Sequence, residues 1–164
     1  FYEAKKNFDR MMPLGPVSDC VREKALETMT EYERIMHRVE LHSIMSLMDG
    51  FIRWSNKYWS DGIAAVEKAG EGEASDNQRR QILLDSFYLL RVCTLLMHPV
   101  VPKGAEKICD YLSFDFADFF SWNYDFESME ELCGAAELEA GGHLVRELPP
   151  RFDFFEKHPS QIKK

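Results

Sequence analysis

The 164-residue chain has few cysteines and no paired ones. Cys20, Cys93, Cys109 and Cys133 lie far apart, and no two stand in a Cys-x-x-Cys pair. That spacing argues against a disulfide scaffold and a structural zinc, and it points to a reducing, cytoplasmic setting. Long apolar runs are missing too. No span approaches the roughly 20 apolar residues of a membrane-crossing helix, so a membrane partner is not expected. No charged-then-apolar start resembles a signal peptide. Positive charge is also scarce. The 20 Lys and Arg face 28 Asp and Glu, a formal net charge of -8, which argues against a general nucleic-acid binder. Glycine-rich phosphate loops of the Gly-x-Gly-x-x-Gly or Walker kind do not occur. The five histidines, His37, His42, His98, His143 and His158, show no metal-ligand spacing, and no Ser or Cys sits in a nucleophile-elbow context. Carboxylate pairs such as Glu130 and Glu131 read as parts of a solvated turn. No catalytic residue and no metal site can be assembled. The sequence opens on Phe1 in mid-pattern, so a piece of a longer protein is expected.

What remains suits one folded domain. Hydrophobic residues make up 45% and charged residues 29%, the balance of a globular chain, and the length fits a single core. After the two prolines Pro13 and Pro16, Val21, Ala25, Met29, Tyr32, Met36 and Val39 recur at helical spacing. Ser18 or Asp19 can cap that helix. A second stripe of Leu41, Ile44, Met48, Phe51, Ser55 and Tyr58 follows a short link at Glu40, so the two helices should be antiparallel. Gly50 in its middle suggests close packing. Residues 68–77 hold no large apolar side chain and read as a loop. A third, most buried helix is expected from about Gln78 to Met97, stopped by His98-Pro99-Val100-Val101-Pro102. A shorter helix carries Ala105, Ile108, Cys109 and Leu112, with Pro102 in its first turn.

The last third differs. Seven aromatics lie between Phe114 and Phe126, interleaved with Asp115, Asp118 and Asp125. Acids repel phosphate, so this is read as an irregular wrap over the bundle and not as a base-stacking platform. Ser128 to Glu131 reads as a capping box, and an extended piece at His143-Leu144-Val145 follows Gly141-Gly142. Residues 113–140 contain eight acids and no Lys or Arg, as many acids as the whole net charge. The rest of the chain is therefore neutral. The expected fold is all-α, an antiparallel bundle of about four to five helices over 17–112 with an aromatic-rich wrap over 113–164, all within one domain, 1–164.

One stretch carries the parts of an RNA contact. In Arg53-Trp54-Ser55-Asn56-Lys57-Tyr58-Trp59, Arg53 and Lys57 share a helix face. If Phe51, Ser55 and Tyr58 turn inward, Arg53, Asn56 and Lys57 point outward. Planar side chains beside Arg and Asn are what the reading of unpaired bases requires. The competing reading is that the tryptophans are core residues and the charges ordinary surface.

The order of features resembles the C-terminal helical domain of class I aminoacyl-tRNA synthetases. The elements are Asn56-Lys57-Tyr58, a loop, a long apolar helix and then His98-Pro99-Val100-Val101-Pro102-Lys103-Gly104. Gly142-His143-Leu144-Val145 with Glu147-Leu148-Pro149-Pro150-Arg151-Phe152-Asp153 is similar to the ending of the methionyl type, and Asn7-Phe8-Asp9 to the segment before its bundle. The resemblance covers about residues 5–155. It implies that the domain binds the anticodon stem-loop of tRNA, with Arg53, Trp54, Asn56, Lys57 and Trp59 as the candidate contacts. The partners would be that stem-loop and an N-terminal catalytic domain of a parent methionine–tRNA ligase. This segment would carry no cofactor of its own, whereas ATP and, optionally, zinc would belong to the parent's catalytic domain. The family's Ala-Pro-Trp is here Ile63-Ala64-Ala65, and the class I catalytic signatures are absent from the chain. The alternative is a helical scaffold that binds a protein partner and has lost anticodon recognition.

Overall fold

The computed structural model describes residues 1–13, 15–120, 143–149 and 152–155. The architecture is an all-α bundle, with one two-strand ladder tying its ends. The helices are α1 (Tyr2–Phe8), α2 (Asp19–His37), α3 (Leu41–Ala69), α4 (Glu73–Met97), α5 (Pro102–Leu112) and the single turn α6 (Phe116–Phe119). The strands are β1 (Met11–Met12) and β2 (His143–Leu144).

The two apolar stripes read from the sequence become one core. Val21, Ala25, Met29 and Tyr32 of α2 meet Ile44, Met48 and Phe51 of α3, and both pack on Tyr88, Leu89, Val92 and Leu96 of α4. Met36, Val39 and Leu41, expected inward, are exposed because α2 is ending and α3 has only just begun there. The α2–α3 link is tight because α2 ends in a Schellman turn. Val39 N–H donates to Met36 O (3.0 Å) and Glu40 N–H to Ile35 O (3.2 Å), the two reversed bonds that satisfy a helix's last carbonyls. The turn needs a left-handed residue, and Val39 fills that place at φ 60°.

Two expectations change. The loop expected over 68–77 shrinks to 70–72, because α3 runs to Ala69 and α4 starts at Glu73. Glu73 and Asp76 suit the positive end of the α4 dipole, and the Ser75 hydroxyl donates to Val66 O across the corner. Gly70 (φ 80°) and Gly72 (φ 151°) make the reversal itself. Gly50 has nothing within 4 Å of where a side chain would begin, so it is not a close-packing glycine. Gly62 is. A Cβ there would lie 3.0 Å from Ile82, where α3 and α4 cross.

Helix α1 was not expected, because seven residues give too short a pattern to detect. It belongs to a second core. Ala4 and Met12 pack with Leu83 and Phe87 of α4, Ile108 and Leu112 of α5, and Val145, under a rim that includes Phe1, Phe8 and Phe154. The antiparallel ladder sets Met11 opposite Leu144 and Met12 opposite His143. Val145 N–H then donates to Arg10 O (2.9 Å) and Arg146 N–H to Tyr111 O (2.8 Å). An ion pair joins Lys5 to Glu147 and another joins Arg146 to Asp110. Of the aromatic run, Phe114 and Phe119 pack on the second core and Phe120 on the first. Trp122, Tyr124, Phe126 and the Ser128–Glu131 capping box lie outside the described residues.

Candidate nucleic-acid interface

The interface candidates occupy about two turns in the middle of α3. Phe51 is fully buried and fixes the roll of the helix. Arg53, Asn56 and Lys57 consequently face outward and are exposed, as expected. Each cation is paired along its own helix. Arg53 Nε donates to Asp49 Oδ2 and Lys57 Nζ to Asp61 Oδ2, both at 2.7 Å. The hydrogen bond from Arg53 to Asp49, and then the aspartate's charge, hold the guanidinium above its ordinary range. This face is charged and close to neutral.

The tryptophans diverge. Trp54 packs against the first core and lies on the Tyr58 ring, with centroids 5.6 Å apart and planes at 17°. One of its faces is therefore occupied. Trp59 packs against the second core instead. It also lines, with Ile52, Ser55 and Asn56, a cavity of about 600 Å³ between α3, α4 and α5. Asn56 and Trp59 thus meet at one cavity, while Arg53 and Lys57 sit one step round the helix. The five candidates do not form a single patch.

Two features escaped the sequence reading. The first is the cavity, to which α4 contributes Ser86, Leu90, Cys93 and Thr94, and α5 contributes Ala105 and Ile108. Burial is the main cause that pushes the Cys93 thiol up to about 12, so it is an unreactive group there. The second is a buried carboxylate. Asp85 has no exposed surface, and it accepts from Ser18 N–H (2.9 Å), Ser18 Oγ (2.6 Å), Tyr58 OH (2.6 Å) and Gln81 Nε2 (3.1 Å). Ser18 is the α2 N-cap by position, but its hydroxyl serves Asp85 and does not cap α2. Burial first, then the bond to Asp85, raises the Tyr58 phenol above its ordinary value. An acid inside the apolar run Ile82–Leu90 was the available signal. A charge so placed must be met by several donors or not be buried at all.

Among the described residues no three His, Cys, Asp or Glu side chains converge on a point that could hold a metal ion. Cys20, Cys93 and Cys109 are free thiols. His98 caps the end of α4 and stacks on Phe120, with centroids 3.9 Å apart. No described helix is long and apolar enough to cross a membrane.

No protein-family model matches this chain, and no curated protein is significantly similar to it in sequence. Solved structures are similar in fold. A ligand-free methionyl-tRNA synthetase of Mycobacterium tuberculosis superposes on 94% of the chain at 21% identity, with a TM-score of 0.70. The same synthetase in complex with methionyl-adenylate covers 95% at 23% identity and 0.65. A further structure bound by methionyl-adenylate covers 93% at 22% identity and 0.61. In each case the match takes in under a third of the synthetase, 29%, 29% and 28%. The chain has the helical fold of that part of these enzymes.

Proposed function

We propose that the chain is the tRNA-binding helical module of a methionyl-tRNA synthetase-like protein and contacts an anticodon stem-loop. The observation that carries this reading is the fold match. It runs over 94% of the chain, more than the helix that bears Asn56-Lys57-Tyr58 alone. The exposed Asn56, the half-buried Trp59 beside it and the cations Arg53 and Lys57 are the groups that would touch RNA. Base recognition in single strands uses this combination of amide, indole and cation. In this reading the ATP-dependent charging step belongs to a catalytic domain of the parent, in the cytoplasm. That domain would add the positive surface that this module lacks.

The test is titration of an anticodon hairpin with the 164-residue chain at two salt concentrations. Binding should be weak and should tighten as salt falls, because phosphate contacts release counterions. Arg53→Ala and Lys57→Ala should each reduce that salt dependence. A chain that binds no hairpin at low salt contradicts the proposal. A scaffold that binds a protein partner is the second reading. What favours it is that both cations on this face already hold an aspartate.

A further inference from the structure

We infer that the RNA backbone crosses α3 on a low strip at Gly50, Arg53 and Lys57, and that Asp49 and Asp61 restrain this contact by holding its two cations until phosphate displaces them. This rests on the proposed RNA-binding reading and adds where the backbone would lie and what limits its binding.

The strip follows from spacing. Ser46, Gly50, Arg53, Lys57 and Ser60 are separated by four, three, four and three residues, which lines them along one face of a helix. All five are exposed, on the side of α3 opposite the core residues Ile44, Met48 and Phe51. Ser46, Gly50 and Ser60 are small, so Arg53 and Lys57 are the only long side chains on this line. Gly50 is the informative member. A helix interior disfavours glycine relative to alanine, and here nothing lies within 4 Å of the place a Cβ would take. No neighbour among the described residues needs the gap. A ligand backbone approaching Arg53 and Lys57 would use it.

The restraint is a second pattern on the same helix. Asp49, Arg53, Lys57 and Asp61 follow one another at intervals of four, an acid, two bases and an acid. Arg53 reaches back to Asp49 and Lys57 reaches forward to Asp61, so the two cations are drawn apart. All four side chains are 62–77% exposed, and ion pairs so exposed are weak. A phosphate offers the guanidinium a stronger, charge-assisted contact. The pairs therefore hold at rest and yield to phosphate. They also set a limit. Arg53 and Lys57 are about one turn, roughly 6 Å, apart along the axis, and a carboxylate stands one turn beyond each. A strand crossing α3 meets both cations. A polyanion running along α3 meets an acid at either end. The arrangement admits a short backbone contact and opposes a long one, a repulsive element that discriminates between partners.

The experiment titrates an anticodon hairpin, and separately an RNA duplex without a loop, with the wild-type chain and four variants. These are Asp49→Asn, Asp61→Asn, Gly50→Leu and Glu23→Gln. Glu23 is an exposed acid of α2, and its variant controls for the change in net charge. Asp49→Asn and Asp61→Asn should each tighten hairpin binding roughly two-fold beyond Glu23→Gln, the scale of an exposed helical ion pair. Their binding should also fall more steeply with salt, and the duplex should gain more than the hairpin. Gly50→Leu should raise the melting temperature, because leucine is the better helix former, and yet weaken the hairpin. A merely structural role for Gly50 would not separate those two readouts. If the wild type binds the hairpin and both Asp variants bind it no tighter than Glu23→Gln, the restraint is overturned. If Gly50→Leu binds it as tightly as the wild type, the strip is overturned. RNA binding stands in either case. If the wild type binds no hairpin at all, this inference and the RNA reading fall together.

Discussion

The two cores of this molecule are built differently. The first joins α2, α3 and α4 through apolar side chains at regular helical spacing, with the Asp85 cluster linking the same three helices. The second gathers pieces from both ends of the chain around α4 and α5: Phe1, Ala4 and Met12 from one end, Val145 and Phe154 from the other. Its rim is a chain of ring contacts, Phe1 to Phe154, Phe154 to Phe152 and Phe152 to Tyr111, with centroids 4.8–6.1 Å apart. A periodic core is specified locally, because each helix carries its own stripe. A gathered core exists only once distant segments meet.

The largest effect that can break this contrast is in the first core. Asp85→Ala should cost about 3–4 kcal/mol in chemical denaturation, since it strands several buried donors and each costs about 1–3 kcal/mol. A loss under about 1 kcal/mol would show that the cluster does not hold α2, α3 and α4 together. Next, Leu112→Ala in the second core should cost about 2–3 kcal/mol by leaving a cavity. It should weaken the near-ultraviolet signal of the surrounding rings before the far-ultraviolet signal of the long helices. Coincident loss of both signals would mean that the two cores unfold as one unit.

The third prediction concerns pH. Burial pushes up the thiols of both Cys93 and Cys109, to about 12 and about 11. A thiol raised in the folded state keeps its proton longer than in the unfolded chain. Stability is then complete below about pH 8.5 and falls as pH rises toward the folded values, by at most about 1.4 kcal/mol per pH unit for each thiol. Cys93→Ala and Cys109→Ala should each flatten the fall between about pH 9 and 11. An unchanged slope would contradict the burial argument. The smallest effect is a gain. Val39→Gly should stabilise the chain by about 1 kcal/mol, because glycine adopts the left-handed turn without the Cβ penalty. Thermal unfolding reads it as a rise of a few degrees.

This contrast also explains what was legible in the sequence. The all-α fold, the inward stripes of α2 and α3, the stop at Met97 and the start of α5 at Pro102 all follow from spacing and proline chemistry. So does the outward turn of Arg53, Asn56 and Lys57. The start of α4 at Glu73 was missed because a first helical turn can be wholly polar. Helix α1 and the Met11–Leu144 ladder were missed because seven-residue and two-residue elements have no period to read. Within the candidate site, the types and positions of the side chains were readable. Their partners were not. Asp49 and Asp61 lie four residues from Arg53 and Lys57 and could have been paired with them by rule. The divergence of Trp54 and Trp59 depends on which neighbour α3 meets on each side.

The pairing of Lys5 with Glu147, 142 residues apart, has a consequence for the order of assembly. Closing so long a loop costs conformational entropy, and that cost is recovered only where the ends find a prepared surface. The surface consists of Leu83, Phe87, Ile108 and Leu112, which α4 and α5 present once they have docked. The clasp of α1, β1 and β2 should therefore form last in folding and open first in unfolding. During synthesis, α1 waits with its apolar side uncovered until the 143–155 segment emerges. That interval is when this chain is most exposed to aggregation and most in need of a chaperone.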